Sequence, residues 1–302
     1  MNPPDVETYR KYLDPEVISR LKTMEMRARL VVEGFITGLH KSPYHGFSVE
    51  FAEHRQYMPG DPVRNIDWKV YAKSDRYFVK EFEEETNLKA YLLLDSSGSM
   101  RFTSGKITKL QYGSYLAAAL SFLMLKQRDA VGLVAFDEKI RQYIPPKSTS
   151  GHLHALLLGL EKLSPAEKTN VPLALHEMAE RLKRRGLIVV ISDLLDDPAR
   201  ILAGLKHFRH RNHEVIVFHI LDPYERRLSF PDESIFKDME TGEEVSTVPW
   251  QIRADYQKSV EGFIKRYARE CRQSKVDYVV VDTSQTYDLA LFAYLAKRGR
   301  LF

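Results

Sequence analysis

Short unbroken apolar runs alternate with longer stretches of helical period from about residue 88 to the end of the chain, and this alternation predicts a sheet covered by helices on both faces. The runs at 88–94, 131–136, 187–191, 215–221 and 276–281 read as buried strands. The stretch 140–144 follows a turn at Asp137-Glu138 and meets Pro145-Pro146, which predicts an antiparallel edge strand stopped by the prolines. Helices are predicted over 106–126, 152–163, 172–185, 199–209, 250–274 and 286–297. The expected fold is α/β, a doubly wound, mostly parallel six-stranded sheet formed by residues 87–221 and 250–302.

Two segments fall outside that core. Residues 1–86 predict a helix over 16–39 and short strand-like pieces around 46–53 and 77–84. Residues 222–249 are rich in Pro, Asp and Glu, and the runs 234–239 and 244–248 flank Glu240-Thr241-Gly242-Glu243 like a hairpin. The expectation is a small β-rich subdomain in which this hairpin packs against the N-terminal segment.

Composition narrows the class. A chain of 302 residues, 44% hydrophobic and 28% charged, is ordinary for a soluble globular protein with one large core and a subdomain. The candidate span 28–39 contains Arg29 and Glu33 and is too short to cross a bilayer, and Asp5, Glu7 and Asp14 interrupt any signal peptide. A lone Cys271 excludes an internal disulfide, and the expected location is cytoplasmic. A net charge of +4 is modest, and the basic run Arg181, Lys183, Arg184 and Arg185 ends a helix, where it complements the dipole; no nucleic-acid partner is expected. His207, His210 and His213 recur every third residue, but no cysteine or carboxylate completes a zinc spacing.

The chemistry concentrates where strands end. Asp95-Ser96-Ser97-Gly98-Ser99 follows the first buried run, which delivers Asp95 to the carboxyl edge of the sheet, where ligands of open α/β sheets collect. Ser97 and Ser99, separated by a glycine, can turn their hydroxyls toward the same point, and an all-oxygen donor set suits a hard ion such as Mg²⁺ better than zinc or copper. A tight turn uses the same residue types. The run 187–191 ends in Ser192-Asp193 with the same punctuation, so Asp193 belongs to the same edge if the two strands are parallel neighbours. Thr169 stands in the polar loop 164–170 and offers a third hydroxyl, or a helix cap.

Together these positions resemble the metal-ion-dependent adhesion site of von Willebrand factor A domains, over about residues 87–299. By that resemblance Ser97, Ser99 and Thr169 are hydroxyl ligands, Asp95 and Asp193 serve the ion directly or through water, and one position is left for the carboxylate of another protein. The ion implied is Mg²⁺, with Mn²⁺ or Ca²⁺ as alternatives. The run 50–69, with Pro59-Gly60-Asp61 as a turn and Arg55, Arg64, Asp67 and Lys69 set among Ile66 and Trp68, resembles the signature of the family called domain of unknown function fifty-eight, which joins such a segment to a von Willebrand A domain. Proteins of that family are commonly encoded beside AAA+ ATPases of the MoxR type. The resemblance therefore implies a non-enzymatic, metal-dependent binding module acting with such an ATPase, or on an acidic client, in chaperone-like maturation or assembly. The chain has no glycine-rich Walker loop of its own.

The enzymatic alternative is a Mg-dependent phosphoryl-transfer hydrolase using Asp95. A haloacid-dehalogenase-like enzyme places a second Asp two residues after the nucleophile, and Ser97 holds that position; a serine hydrolase requires Gly-x-Ser-x-Gly, which this run lacks.

Overall fold

The computed structural model describes residues 14–41, 55–56, 71, 77–79, 88–149, 151–166, 170–230, 233–237 and 242–299. Its centre is a six-stranded sheet of β1 (Lys89–Asp95), β2 (Ala130–Phe136), β3 (Ile140–Lys147), β4 (Leu187–Ser192), β5 (Glu214–Leu221) and β6 (Asp277–Asp282). The strand order is β6-β5-β4-β1-β2-β3, with every pair parallel except β2 and β3. The expected doubly wound sheet is the one observed. Its order reverses between β1 and β4, and at such a switch point the crossovers diverge to opposite faces and leave a crevice at the carboxyl ends.

Nine helices among the described residues surround this sheet: α1 (Pro15–Ser19), α2 (Met24–Lys41), α3 (Lys109–Lys126), α4 (His152–Glu161), α5 (Val171–Arg181), α6 (Pro198–His210), α7 (Pro223–Arg227), α8 (Pro249–Gln273) and α9 (Asp288–Arg298). Strand residues alternate strictly between the two layers they feed. Leu92, Leu94, Val189, Ile191 and Phe218 join a core with α2, α3, α4 and α9. Leu93, Val190, Val215 and Val217 join the other with α5, α6 and α8. Both faces being apolar explains why β1 and β4 read as continuous hydrophobic runs. Cys271 lies in the second core, where burial pushes its thiol up to about 12, so it packs and does not react.

Three expectations need correction. The strand expected to stop at Pro145-Pro146 runs through both prolines to Lys147, because β3 is an edge strand and a missing N–H costs nothing on its open side. The pair sits in a bulge, since Val131 aligns with Lys147 but Leu133 with Ile144. Gly132 lies opposite, and a Cβ there would meet the Ile144 carbonyl oxygen at 2.7 Å, so the bulge requires glycine. The single N-terminal helix is two, broken at Arg20–Thr23: Arg27 donates to the Ser19 and Leu21 carbonyls at 3.1 and 2.7 Å, satisfying the end of α1. Helix α2 buries Met24, Ala28, Val31, Val32 and Phe35 in the core beside α3, so it belongs to the sheet layer.

The hairpin pairs Ser234–Lys237 with Glu244–Thr247 in antiparallel register. An aromatic chain joins it to α7, with edge-to-face contacts from Tyr224 to Phe230 at 5.2 Å and from Phe230 to Phe236 at 5.1 Å. Its expected packing against the N-terminal segment, and most of the run 50–69, lie outside the described residues.

Candidate metal centre

Every parallel strand delivers an aspartate to the carboxyl edge. Asp95 and Asp282 end β1 and β6, while Asp137, Asp193 and Asp222 follow β2, β4 and β5 directly, and all five are buried. A buried carboxylate must be hydrogen-bonded or paired. Three find local work. Asp137 accepts from the Lys139 N–H and pairs with Arg141. Asp222 caps α7 by accepting from Tyr224 N–H at 2.8 Å and also accepts from Ser104 N–H at 2.8 Å. Asp282 accepts from Ser284 N–H and hydroxyl at 3.0 and 2.6 Å.

The two central aspartates are arranged differently, and they stand at the switch point. Asp95 accepts from Ser97 N–H at 2.9 Å and from the Ser192 hydroxyl at 2.6 Å, which bonds it across to the end of β4. The Ser97 and Ser99 hydroxyls lie 3.0 Å apart at the head of a short 3₁₀ turn, Gly98–Arg101. Burial and the neighbouring Asp193 push the Asp95 carboxyl up to about 7. Asp193 is equally buried, but the Lys109 ammonium 2.7 Å away, helped by the Ser99 hydroxyl and the Leu195 N–H, outweighs that burial and holds its carboxyl below the usual range. The next residue, Leu194, is buried with φ 54°, a left-handed backbone that costs a leucine about 1 kcal/mol. The backbone is held there by Leu194 N–H donating to the Ser192 hydroxyl at 2.9 Å and by the Tyr267 hydroxyl donating to the Leu194 carbonyl at 3.4 Å.

Asp95, Ser97, Ser99 and Asp193 are thus brought together. Thr169 lies outside the described residues, although its loop reaches the site: Ala166 N–H donates to the Ser96 carbonyl at 2.8 Å. The cap of α5 is Asn170, whose side chain accepts from Leu173 N–H. The donor set is two carboxylates and two hydroxyls, all oxygen, which fits a hard divalent ion such as Mg²⁺ and offers nothing soft. His207 meets His176 and Glu180, while His213 is turned to the Leu182 carbonyl.

Sequence reasoning missed Lys109 and Glu225. Lys109 opens α3, is fully buried, and donates to Asp193 and Glu225 at 2.7 Å each. Glu225 comes from α7 and closes its capping box with Asp222. The available signal was electrostatic: a lysine in the first turn of a helix opposes the dipole unless a carboxylate holds it there. Helix α3 comes close enough for this because Gly113 faces Leu94, Ile191 and Ile220, where a Cβ would stand 3.0–3.2 Å from their side chains.

The uncharacterised protein Rv1480 of Mycobacterium tuberculosis (strain ATCC 25618 / H37Rv) is 26% identical over 295 residues, covering 95% of this chain and 92% of its own length, and the uncharacterised protein Mb1516 of Mycobacterium bovis matches equally. Similar solved structures include an aerotolerance-related membrane protein from Bacteroides fragilis (21% identity, TM-score 0.49, covering 70% of this chain and 99% of that one). BatB from Bacteroides thetaiotaomicron follows at 15% and 0.47, covering 71% and 100%, and the SpRpn10 VWA domain at 13% and 0.36, covering 70% and 94%. The family model described as "Protein of unknown function DUF58" matches residues 53–263, and the chain belongs to that family.

Proposed function

We propose that this protein is a binding module in which Asp95, Ser97, Ser99, Thr169 and Asp193 hold a divalent cation, Mg²⁺ with Mn²⁺ or Ca²⁺ as substitutes, for capture of an acidic residue on a partner protein. The observation that carries the reading is the pair Asp95 and Asp193, two carboxylates buried side by side at the switch point with serine hydroxyls around them and one of them pushed up to about 7. Lys109 answers Asp193 alone, so the pair as a whole carries more negative than positive charge and is well matched to a bound dication. When bound, the cation supplies a Lewis-acidic position for an incoming carboxylate. This chain's own residues do the rest: Ser97 N–H and the Ser192 hydroxyl fix Asp95, Lys109 fixes Asp193, and the Ala166 tether draws the 164–166 loop to the site.

The partner proposed is an AAA+ ATPase of the MoxR type, with an acidic client as the alternative supplier of the carboxylate. Family resemblance supports that choice. The hydrolase reading finds no favouring observation, since the position two residues after Asp95 is Ser97, whose N–H serves Asp95 and whose hydroxyl has no acidity suited to protonating a leaving group. The test is a pull-down from lysate with Mg²⁺ or EDTA, comparing wild type with Asp95→Ala. Capture of a MoxR-type ATPase or acidic client that disappears in EDTA and in the variant supports the proposal. Capture that survives both sinks it.

A further inference from the structure

Lys109 is the most unusual residue of the carboxyl edge, a fully buried ammonium held by two carboxylates from two different elements. Counting each carboxyl as ionised, Asp95, Asp193 and Glu225 bring three negative charges to the cluster and Lys109 brings one positive charge. The cluster is left two charges negative, which is the charge of one divalent ion. We propose that Lys109 and Glu225 together set the affinity of the cation site: the ammonium competes with the cation for Asp193, and Glu225 offers that ammonium a second carboxylate. This inference rests on the cation reading above and goes beyond it, because neither residue belongs to the oxygen donor set.

The geometry supports a shared, not a private, ion pair. The two Lys109 contacts are equal at 2.7 Å, so neither carboxylate has sole claim on the ammonium. Asp193 is wholly enclosed, whereas the Glu225 side chain keeps some solvent access. Water can therefore share the Glu225 charge when the ammonium leans to one side. A cation beside Asp193 repels Lys109 toward Glu225, and the ammonium gives up one of its two bonds but keeps a carboxylate partner, because Glu225 is already within bonding distance.

Glu225 also gives the cluster an outlet. It stands on α7 directly after β5, and its main-chain carbonyl accepts from the Tyr256 hydroxyl of α8 at 2.6 Å. Arg253 of α8 donates to the Leu228 and Phe230 carbonyls at 3.0 and 3.3 Å, at the root of the hairpin. The backbone around Glu225 is thus bonded to the helix that also anchors the root of the hairpin.

The test is a charge-balance cycle read by titration of the protein with Mn²⁺ or Mg²⁺ alone, using calorimetry or the loss of the free Mn²⁺ EPR signal. One unit charge at this range, partly screened, is worth about tenfold in dissociation constant. Glu225→Gln leaves Lys109 to Asp193 alone and is expected to weaken cation binding about tenfold. Lys109→Met removes the competitor and is expected to tighten it by a similar factor. The double variant restores the wild-type charge and is expected to bind nearly as wild type does. Should Lys109→Met fail to fold, the Glu225→Gln arm still decides, since a merely structural glutamate would lower stability and leave the dissociation constant unchanged. Wild type that binds, with affinities equal across the variants, overturns the role of Lys109 and leaves the cation site standing. Wild type that binds neither ion overturns both.

Discussion

The two ends of the central sheet handle charge in opposite ways. At the amino end, Glu214 opening β5 and Asp277 opening β6 are met by Lys297 at 2.7 and 2.9 Å, and Glu214 also by Arg209 at 2.7 Å. Cations there match anions, and Lys297 and Arg209 hold the Glu214 carboxyl below its usual range against the burial that pushes it up. At the carboxyl end, Asp193 and Glu225 share one ammonium, and the acid left out, Asp95, is pushed upward. A fold that satisfies its charges at one end and leaves them in surplus at the other has placed its spare capacity where ligands of open α/β sheets enter. The balanced end is scaffold. The unbalanced end is where an outside ion has something to gain.

The widest gap between the ends should appear on removing the ammonium of each. Lys109→Met strands two carboxylates and is expected to cost about 3–5 kcal/mol, the usual penalty for breaking a buried pair from one side. Lys297→Met leaves Glu214 with Arg209 and is expected to cost about 1–2 kcal/mol. Urea denaturation of both variants measures the difference, and equal losses would break the comparison.

A pH titration separates the ends by sign. Because the folded Glu214 carboxyl lies below its unfolded value of 4.5, its contribution is fully present above about pH 4.5 and is lost as the pH falls through the folded value. Wild type and Glu214→Gln should therefore differ in melting temperature at pH 7 and converge in acid. A difference that grows as the pH falls contradicts the assignment of Glu214 to the balanced end.

The smallest effect is expected at Asp95. In metal-free buffer Asp95→Asn removes a charge that the fold does not neutralise, so stability should stay level or rise by about 1 kcal/mol. Added Mg²⁺ should raise the melting temperature of wild type and not that of the variant. A marked loss of stability in metal-free buffer would place Asp95 among the structural acids.

Much of this arrangement was legible in the sequence because it rests on local rules. The runs ending at Asp95 and Ser192 declare buried strands by unbroken apolar residues, and Asp-Ser punctuation fixes where each stops, so both aspartates could be assigned to one edge before any coordinates. Pro145-Pro146 misled because a proline pair ends a strand only where the lost N–H is needed, and edge position follows from tertiary pairing, not from local sequence. The break at Arg20–Thr23 was hidden for a similar reason, since nothing in that stretch forbids a helix and the Arg27 guanidinium creates the stop from a full turn away. Lys109 and Glu225 are separated by more than a hundred residues, and no periodicity links them. Only the crossover topology brings the first turn of α3 and the first turns after β5 to the same end of the sheet.

The proline pair on β3 also bears on how this molecule behaves in company. An exposed sheet edge is an invitation to pairing with another chain, the route to strand exchange and fibrous aggregates. The proline pair, set in a bulge that Gly132 makes room for, breaks the regular row of donors that an incoming strand needs along that border. A partner gains little by adding a strand to that border, and self-association by that route is discouraged.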